Sequence, residues 1–138
     1  MVTLIEGIVA LLLTKTAITA VIAGGNSIGP IPTPVEASAF PAITYQMPSD
    51  HDEMTLSGSS GVGHCRILFS CQAAFGPGSY LTAHKLGVAL KAALNGYMGF
   101  LPGGPQVFFA DVVNVTDLYQ SDAELSVTNV SVLFDYQS

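Results

Sequence analysis

The segment from Gly61 to Ala73 constrains the fold of this chain more than any other. Its sequence, Gly-Val-Gly-His-Cys-Arg-Ile-Leu-Phe-Ser-Cys-Gln-Ala, alternates between apolar and polar side chains, and Leu68 is the one apolar exception on the polar side. This period of two is typical of a strand with one face buried. The side chains expected on the buried face are Cys65, Ile67, Phe69 and Cys71, and those expected on the other face are Arg66, Ser70 and Gln72.

Two segments predict helices. Apolar side chains recur at steps of three and four residues from Thr3 to Ala23, with Thr3 placed as N-cap and Glu6 as its capping-box partner. The same spacing runs from Tyr80 to Leu94, where Ser79 is placed to cap the helix. The second helix is rich in alanine, which favours close packing onto a sheet.

The region between the first helix and the central strand is expected to be irregular. Residues 26–41 contain four prolines, which exclude a helix or a central strand and predict an extended proline-rich arm. Ala42 to Met47 predicts a short strand. Residues 48–63 are polar and rich in Ser and Gly, so we expect a loop, and loops of this length are usually functional or mobile.

Two more strands are predicted, from Gln106 to Thr116 and from Glu124 to Gln137. In the second, the apolar pattern changes phase, which predicts a bulge near Thr128-Asn129. The order of elements predicts an α+β fold in a single domain over residues 1–138. A mostly antiparallel sheet of about four strands would carry the N-terminal helix and the second helix.

Charged residues are sparse. They make up 10% of the chain, against about 25% in an ordinary soluble domain. The sparse charge would be explained if partner subunits covered much of the surface. The alternative is a monomer rich in Ser, Thr and Gly that associates weakly with other proteins. A membrane protein is less consistent with the sequence, because Lys15 lies in the middle of the most apolar stretch, residues 7–23. The N-terminus also lacks the basic region of a secretory signal, so we expect a soluble chain that is not exported.

The formal charge of −6 argues against tight binding of nucleic acid. A DNA-binding surface needs a basic stripe to displace counterions from phosphates. The cations of this chain are Lys15, Arg66, Lys85 and Lys91. An acidic wall would instead suit DNA that has to slide past it.

No motif in the sequence predicts an enzyme, a metal site or a cofactor. The three histidines and two cysteines lack the Cys-x-x-Cys and His-x-x-x-His spacings of zinc sites. Gly58-Ser-Ser-Gly61 completes neither a nucleophile elbow nor a phosphate-binding loop. On one strand, Cys65 and Cys71 would lie about 20 Å apart, which excludes a disulfide within the chain and predicts buried thiols in a reducing cytoplasm.

Four stretches, taken in order, resemble a known family. They are the N-terminal helix and proline-rich arm leading to Pro41-Ala-Ile-Thr-Tyr-Gln46, Leu56-Ser-Gly-Ser-Ser-Gly61 leading to Arg66-Ile-Leu-Phe-Ser-Cys-Gln-Ala73, the helix Ala83 to Gly96, and Asp117-Leu-Tyr119 followed by a strand ending Phe134-Asp-Tyr136. Together they resemble the tail completion, or tail terminator, proteins of long-tailed double-stranded-DNA phages and gene-transfer particles. The likeness covers nearly the whole chain.

This resemblance implies a structural virion protein, assembled in the host cytoplasm. It would form a ring, expected to be hexameric, on the last ring of the tail tube, stop growth of the tube and join the tail to the head-side connector. Viral DNA would pass through the central hole without specific binding, and no membrane would be involved.

The expected contacts with neighbouring subunits and partners lie in the polar loop, the proline-rich arm and the last hairpin. The candidate residues are Pro30, Pro32, Pro34, Asp50, Asp52, Glu53, Met54, Leu56, Tyr119 and Asp122. The alternatives are another neck protein or a tube subunit of related fold, a small cytoplasmic α+β enzyme, and a stand-alone ligand-binding module.

Overall fold

The computed structural model describes residues 4–20, 28–30, 41–56, 58–74, 78–120 and 125–137. The helices are α1 (Leu4–Leu13), α2 (Thr16–Thr19) and α3 (Ser79–Leu94). The strands are β1 (Ile28–Pro30), β2 (Ala42–Thr55), β3 (Gly58–Ala74), β4 (Gly99–Phe100), β5 (Gln106–Gln120) and β6 (Leu125–Gln137).

The strands form one six-stranded sheet in the order β1-β2-β3-β6-β5-β4. All neighbouring pairs are antiparallel except β1 and β2, which are parallel. The predicted α+β fold with a mostly antiparallel sheet is therefore confirmed. The strands expected from the sequence correspond to the four long ones, β2, β3, β5 and β6, and short β1 and β4 flank them.

The central strand has the predicted alternation. The side chains of Cys65, Ile67, Phe69 and Cys71 are at most 3% exposed and face the helices. Arg66, Ser70 and Gln72 lie on the opposite face of the sheet and are more exposed. β3 pairs with β6 without a register shift from Val62 to Ala74, so these two strands form the middle of the sheet.

The helices cover one face of this sheet. Ile8 of α1 packs near Ile67 and Phe69 of β3, and α3 packs across β6, β3 and β5. The fully buried side chains of α3 are Leu86, Leu90 and Leu94, which recur every four residues along one helix face. The opposite face of the sheet has no helix against it in the described part of the chain, and we call it the open face.

The N-terminal helix is shorter than predicted, because it breaks at Lys15. This residue has extended backbone angles, with φ −90° and ψ 113°, and separates α1 from α2. The Thr14 hydroxyl donates a hydrogen bond to the carbonyl oxygen of Leu11 at 2.6 Å, a local bond that competes with continuing the helix. The sequence prediction of one helix from Thr3 to Ala23 was wrong at this point, although Ile18 of α2 is still buried.

The prediction of a loop over residues 48–63 is also wrong. Most of it belongs to the two paired strands of a long β2–β3 hairpin, whose turn lies between Thr55 and Gly58. Pro48 is tolerated because the pairing of β2 with β3 is irregular between Gln46 and Ser49, and prolines are accepted at such irregularities. Cross-strand pairing thus overrides the low strand propensity of Ser, Gly and Asp.

The bulge predicted near Thr128-Asn129 is absent, and the described irregularities of the last hairpin lie on β5, between Val107 and Phe109 and between Val112 and Asn114. The misleading signal was a polar side chain on the buried face. Thr128 is 1% exposed, and its hydroxyl donates a hydrogen bond to the Asp117 carboxylate at 2.6 Å. The apolar pattern therefore changes phase while the backbone does not.

Gly87 sets the distance between α3 and the sheet. A Cβ atom at this position would lie 2.5 Å from Cγ2 of Thr128. We predict that Gly87→Ala lowers the free energy of unfolding by about 1–3 kcal/mol through overpacking, despite the higher helix propensity of alanine. Urea denaturation measures this change.

The matched rescue is Thr128→Ser, which removes Cγ2 and keeps the hydroxyl. The double variant should recover most of the lost stability, whereas Val88→Ala on the exposed side of α3 should change little. Equal losses in Gly87→Ala and in the double variant would contradict the close approach.

Candidate assembly surfaces

The β2–β3 hairpin extends beyond the rest of the sheet. The last pair between β3 and β6 joins Val62 to Gln137, and beyond it the strands β2 and β3 pair with each other as far as Thr55 and Gly58. We call residues 54–61 the hairpin extension, which projects by about 13 Å at the rise of a strand. At its turn, Leu56 is fully exposed, with a relative exposure of 110%.

Two polar contacts hold the base of this hairpin. The Tyr136 hydroxyl donates a hydrogen bond to the Asp50 carboxylate at 2.7 Å. Gly63 lets the Tyr136 ring approach, since a Cβ there would lie 2.7 Å from the ring. Nδ1 of His64 lies 2.6 Å from the carboxylate of Asp135 on β6. The hairpin extension therefore projects from an anchored base.

An apolar corner lies at the same end of the sheet. It consists of four exposed side chains, Met98, Phe100, Phe108 and Phe109, with exposed fractions of 41% to 70%. The register shift between Val107 and Phe109 turns both phenylalanines toward solvent. This corner was not predicted from the sequence, although two adjacent aromatic residues in one regular strand cannot both face the core.

Both long edges of the sheet are only partly covered. β1 pairs with β2 from Ile43 to Tyr45, and β4 pairs with β5 at Gln106 and Val107. The loop after α3 is hydrogen-bonded to β5, because the backbone N–H of Ala110 donates to the carbonyl oxygen of Tyr97 at 3.1 Å. In the described parts of the chain, no strand covers residues 46–55 of β2 or residues 113–118 of β5.

A hydrogen-bond network lies at the other end of the sheet, around Asp117 of β5. Its carboxylate accepts bonds from Thr128 at 2.6 Å and from Tyr80 at 3.2 Å, and Nδ1 of His84 lies 3.2 Å away. These bonds, led by that of Thr128, hold the pKa of Asp117 below its ordinary value. The network ties the first turn of α3 to the last hairpin. The sequence patterns around Tyr80, Asp117 and Thr128 did not predict this network.

A shallow cavity of about 330 Å³ opens on the open face of the sheet, where the four long strands lie side by side. None of its lining side chains is charged; they are Gln46, Leu68, Ser70, Asn114, Thr116, Asn129 and Ser131. The Ser131 residue is 7% exposed, and its hydroxyl has no hydrogen-bond partner. We call this site the open-face concavity.

The two cysteines are buried and free, as predicted from their spacing. Burial raises the pKa of the Cys71 thiol to about 12. Burial also raises the pKa of the Cys65 thiol to about 12, with smaller contributions from the carboxylates of Asp50 and Asp135. Neither thiol is suited to act as a nucleophile at neutral pH.

The candidate contact residues are spread over both ends of the sheet. Asp50 and Leu56 lie on the hairpin and Tyr119 lies on β5, where it is 51% exposed. The structure places the backbones of Pro30, Asp52, Glu53 and Met54 in β1 and β2 and does not describe their side chains. Pro32, Pro34 and Asp122 lie outside the described residues.

The described side chains and helices bear on two further features, a metal-binding cluster and a membrane-spanning helix. Within the described residues, no group of three or more His, Cys, Asp or Glu side chains is arranged to hold a metal ion. The same part of the chain contains no helix with the length and apolar character needed to cross a membrane.

Comparison with known proteins identifies the chain. A family model described as tail completion protein gp17 matches residues 6–136. The chain is a structural protein located in the tail of a virion. Specifically, it belongs to the tail completion protein gp17 family, which confirms the resemblance drawn from the sequence.

Solved structures agree with this fold, and 24 of their chains match. One is a chain of a structure entitled "Virion of native gene transfer agent (GTA) particle", which is 12% identical, with a TM-score of 0.65 over 93% of this chain and 90% of that chain. At this identity, the likeness shows the fold. No curated protein matches the chain. As a tail protein, it assembles with other proteins of the particle.

The Asp117 network predicts a pH-dependent stability. Because the folded state lowers the pKa of Asp117 from 3.8, its stabilising contribution is complete above about pH 4 and is lost as the pH falls through the folded value. Asp117→Asn should therefore lower the free energy of unfolding at pH 7 by about 1 kcal/mol, since the carboxylate is partly exposed. The deficit should shrink toward pH 3 in urea titrations.

The control is Asp111→Asn, which changes an exposed carboxylate on the same strand. It should have little effect on stability at pH 7. A deficit of Asp117→Asn that stays constant from pH 7 to pH 3 would show that charge on Asp117 does not stabilise this network.

Proposed function

We propose that this protein forms a ring, of six copies, at the head-proximal end of the tail tube. The ring stops further growth of the tube and joins the tail to the head-side connector. Neither task requires bond chemistry. Both require a surface that matches the tube end and a second surface that does not template another tube ring.

The observation that carries the ring proposal is the pair of partly covered sheet edges. Residues 46–55 of β2 and residues 113–118 of β5 lie toward opposite sides of one sheet. Exposed edges present unpaired N–H and C=O groups that favour contact with another chain. Contact between two different edges is heterologous, and repeated heterologous contacts close into a ring when the rotation between neighbours allows it.

The sparse charge supports the same assembly. Fourteen charged residues share an accessible surface of 7334 Å², which is about one charge per 520 Å². Exposed apolar side chains occur at the hairpin extension and at the apolar corner. Surfaces of this kind mark sites of protein contact.

The proposed ring has a central channel for DNA. The net charge of −6 opposes adhesion of phosphates, because each contact between a cation and a phosphate strengthens binding to DNA. A channel wall with carboxylates and few cations would let DNA slide through without specific binding.

We assign the contacts with the tube end and the connector to the hairpin end of the sheet, the proline-rich segment and α1. The hairpin end combines the hairpin extension with the apolar corner. In the proline-rich segment, the candidates are Pro30, Pro32 and Pro34, and in the hairpin they include Asp52, Glu53 and Met54. Tyr119 and Asp122 are candidates for contacts between subunits.

A second candidate function is a tube subunit or another neck protein of related fold, because two partly covered sheet edges would serve a stacked ring equally well. Mixing the purified protein with tail-tube subunits separates these functions. We expect short, capped tubes whose length decreases as more protein is added, seen by electron microscopy. Tubes that incorporate the protein along their length would identify a tube subunit instead.

We also predict that deleting residues 50–57 leaves a folded subunit but blocks the joining of tails to heads. The pairing of β3 with β6 and the helix core lie outside the deleted segment, so the circular dichroism spectrum should be retained. Free heads and free tails, counted in micrographs of lysates, measure joining. Lys91→Ala on the exposed side of α3 is the control and should give joined particles.

Normal infectious particles from the deletion variant would refute the role of the hairpin in joining. Loss of the folded subunit would show that the hairpin is needed for folding, and Leu56→Ser then replaces the deletion as the test variant.

A further inference from the structure

The open-face concavity has the properties of a binding site for a neutral polypeptide. Its described lining residues combine hydroxyl and amide groups with the apolar side chain of Leu68, and none of them is a cation or a carboxylate. A phosphate group would lack a positive partner there, and a charged side chain would lack a counter-ion.

The Ser131 hydroxyl is the second observation that points to a ligand. It is buried without a hydrogen-bond partner, a costly state for a polar group removed from water. Neighbouring groups bond each other: the Ser70 hydroxyl donates to Asn129 at 2.8 Å, and the Asn114 amide donates to Thr116 at 3.1 Å. Ser131 lines the concavity, so an occupant that displaces the side chains covering its hydroxyl would give that hydroxyl an acceptor, such as a backbone carbonyl.

We propose that the hairpin turn of a second copy of this chain, led by Leu56, occupies the open-face concavity. Leu56 is a fully exposed apolar side chain, and the sequence Thr55-Leu-Ser-Gly-Ser-Ser60 around it is uncharged. Each copy carries a net charge of −6, so copies repel each other. The electrostatic cost of contact between them is smallest where two neutral surfaces meet.

Size and stability favour the same occupant. Removing one leucine from a packed protein core leaves a cavity of about 150 Å³, so a concavity of about 330 Å³ has room for a leucine side chain and part of the adjacent backbone. A two-stranded hairpin without a neighbouring strand is marginally stable in water. Docking onto a second subunit would supply contacts in addition to the pairing between the two strands of the hairpin extension.

This contact rests on the proposed ring and specifies how neighbouring copies engage. The projecting residue and the receiving concavity are different surfaces, so the contact is heterologous and passes from each copy to the next. The Leu56 turn would then lie within the ring, and the tube or the connector would meet the apolar corner and the remainder of the hairpin.

Cysteine cross-linking between differently tagged copies tests the contact. A Leu56→Cys copy is mixed with a Thr116→Cys copy, Thr116 being an exposed residue at the rim of the concavity. We expect a disulfide-linked heterodimer on a non-reducing gel. The native thiols of Cys65 and Cys71 are buried and should not interfere.

The control pairs Leu56→Cys with Lys85→Cys on the exposed side of α3, where we expect no heterodimer. Two further outcomes overturn the proposal. One is cross-linking of Thr116→Cys to Thr33→Cys in the proline-rich segment in place of Leu56→Cys. The other is linkage of positions 56 and 116 only within a single chain.

Ser131→Ala separates a binding role from a structural one. Because the hydroxyl has no hydrogen-bond partner among the described residues, we expect the melting temperature of the dissociated subunit to stay equal or rise. Association should weaken by about three- to tenfold in sedimentation velocity, through loss of a hydrogen bond between copies. Leu56→Asp should weaken association more than Ser131→Ala does, and Leu56→Met should retain it.

Unchanged association of Ser131→Ala and Leu56→Asp would overturn the proposal. The proposed function is judged separately, from whether the unmodified protein forms rings and caps tubes. Rings that cap tubes but give no linkage between positions 56 and 116 would refute this contact alone, whereas absence of both rings and capping would refute both.

Discussion

The fold depends on the antiparallel pairing of β3 with β6. This pairing is unbroken from Val62 to Ala74, and each of the other elements is attached to one of these two strands or to their immediate neighbours. Because side chains alternate along both strands, one uninterrupted register decides at once which residues face the helices and which face outward. The buried apolar residues lie on one face of the sheet that this register defines, and the uncharged concavity lies on the other face.

The sequence was most informative where one face of an element is buried. The alternation around Ile67 and the four-residue steps of α3 predicted both elements, because burial imposes their periods. Prediction failed where a local bond or a partner strand decides the structure. The break at Lys15 follows from a threonine hydroxyl, the outer hairpin follows from cross-strand pairing, and Thr128 is buried because Asp117 accepts its hydrogen bond.

The functional surfaces were less accessible to sequence reasoning than the fold. The family resemblance was correct, and it indicated a structural role that composition alone left open. The open-face concavity arises from residues far apart in the chain, which only the strand order brings together. The residues of the apolar corner all lie between Met98 and Phe109, and a register shift on β5 exposes its two adjacent phenylalanines. A protein that works by assembly has no conserved geometry of reacting atoms to search for, so its sites appear as unexplained exposure and as an unpartnered buried hydroxyl.

The burial of both thiols has a consequence for the particle outside the cell that produced it. Thiol oxidation and disulfide exchange proceed through the thiolate. With pKa values of about 12, the ionised fraction at pH 8 is on the order of one in ten thousand. The subunits would therefore pass from a reducing cell into an aerobic environment without becoming covalently joined, and the tail would keep whatever mobility its non-covalent contacts allow.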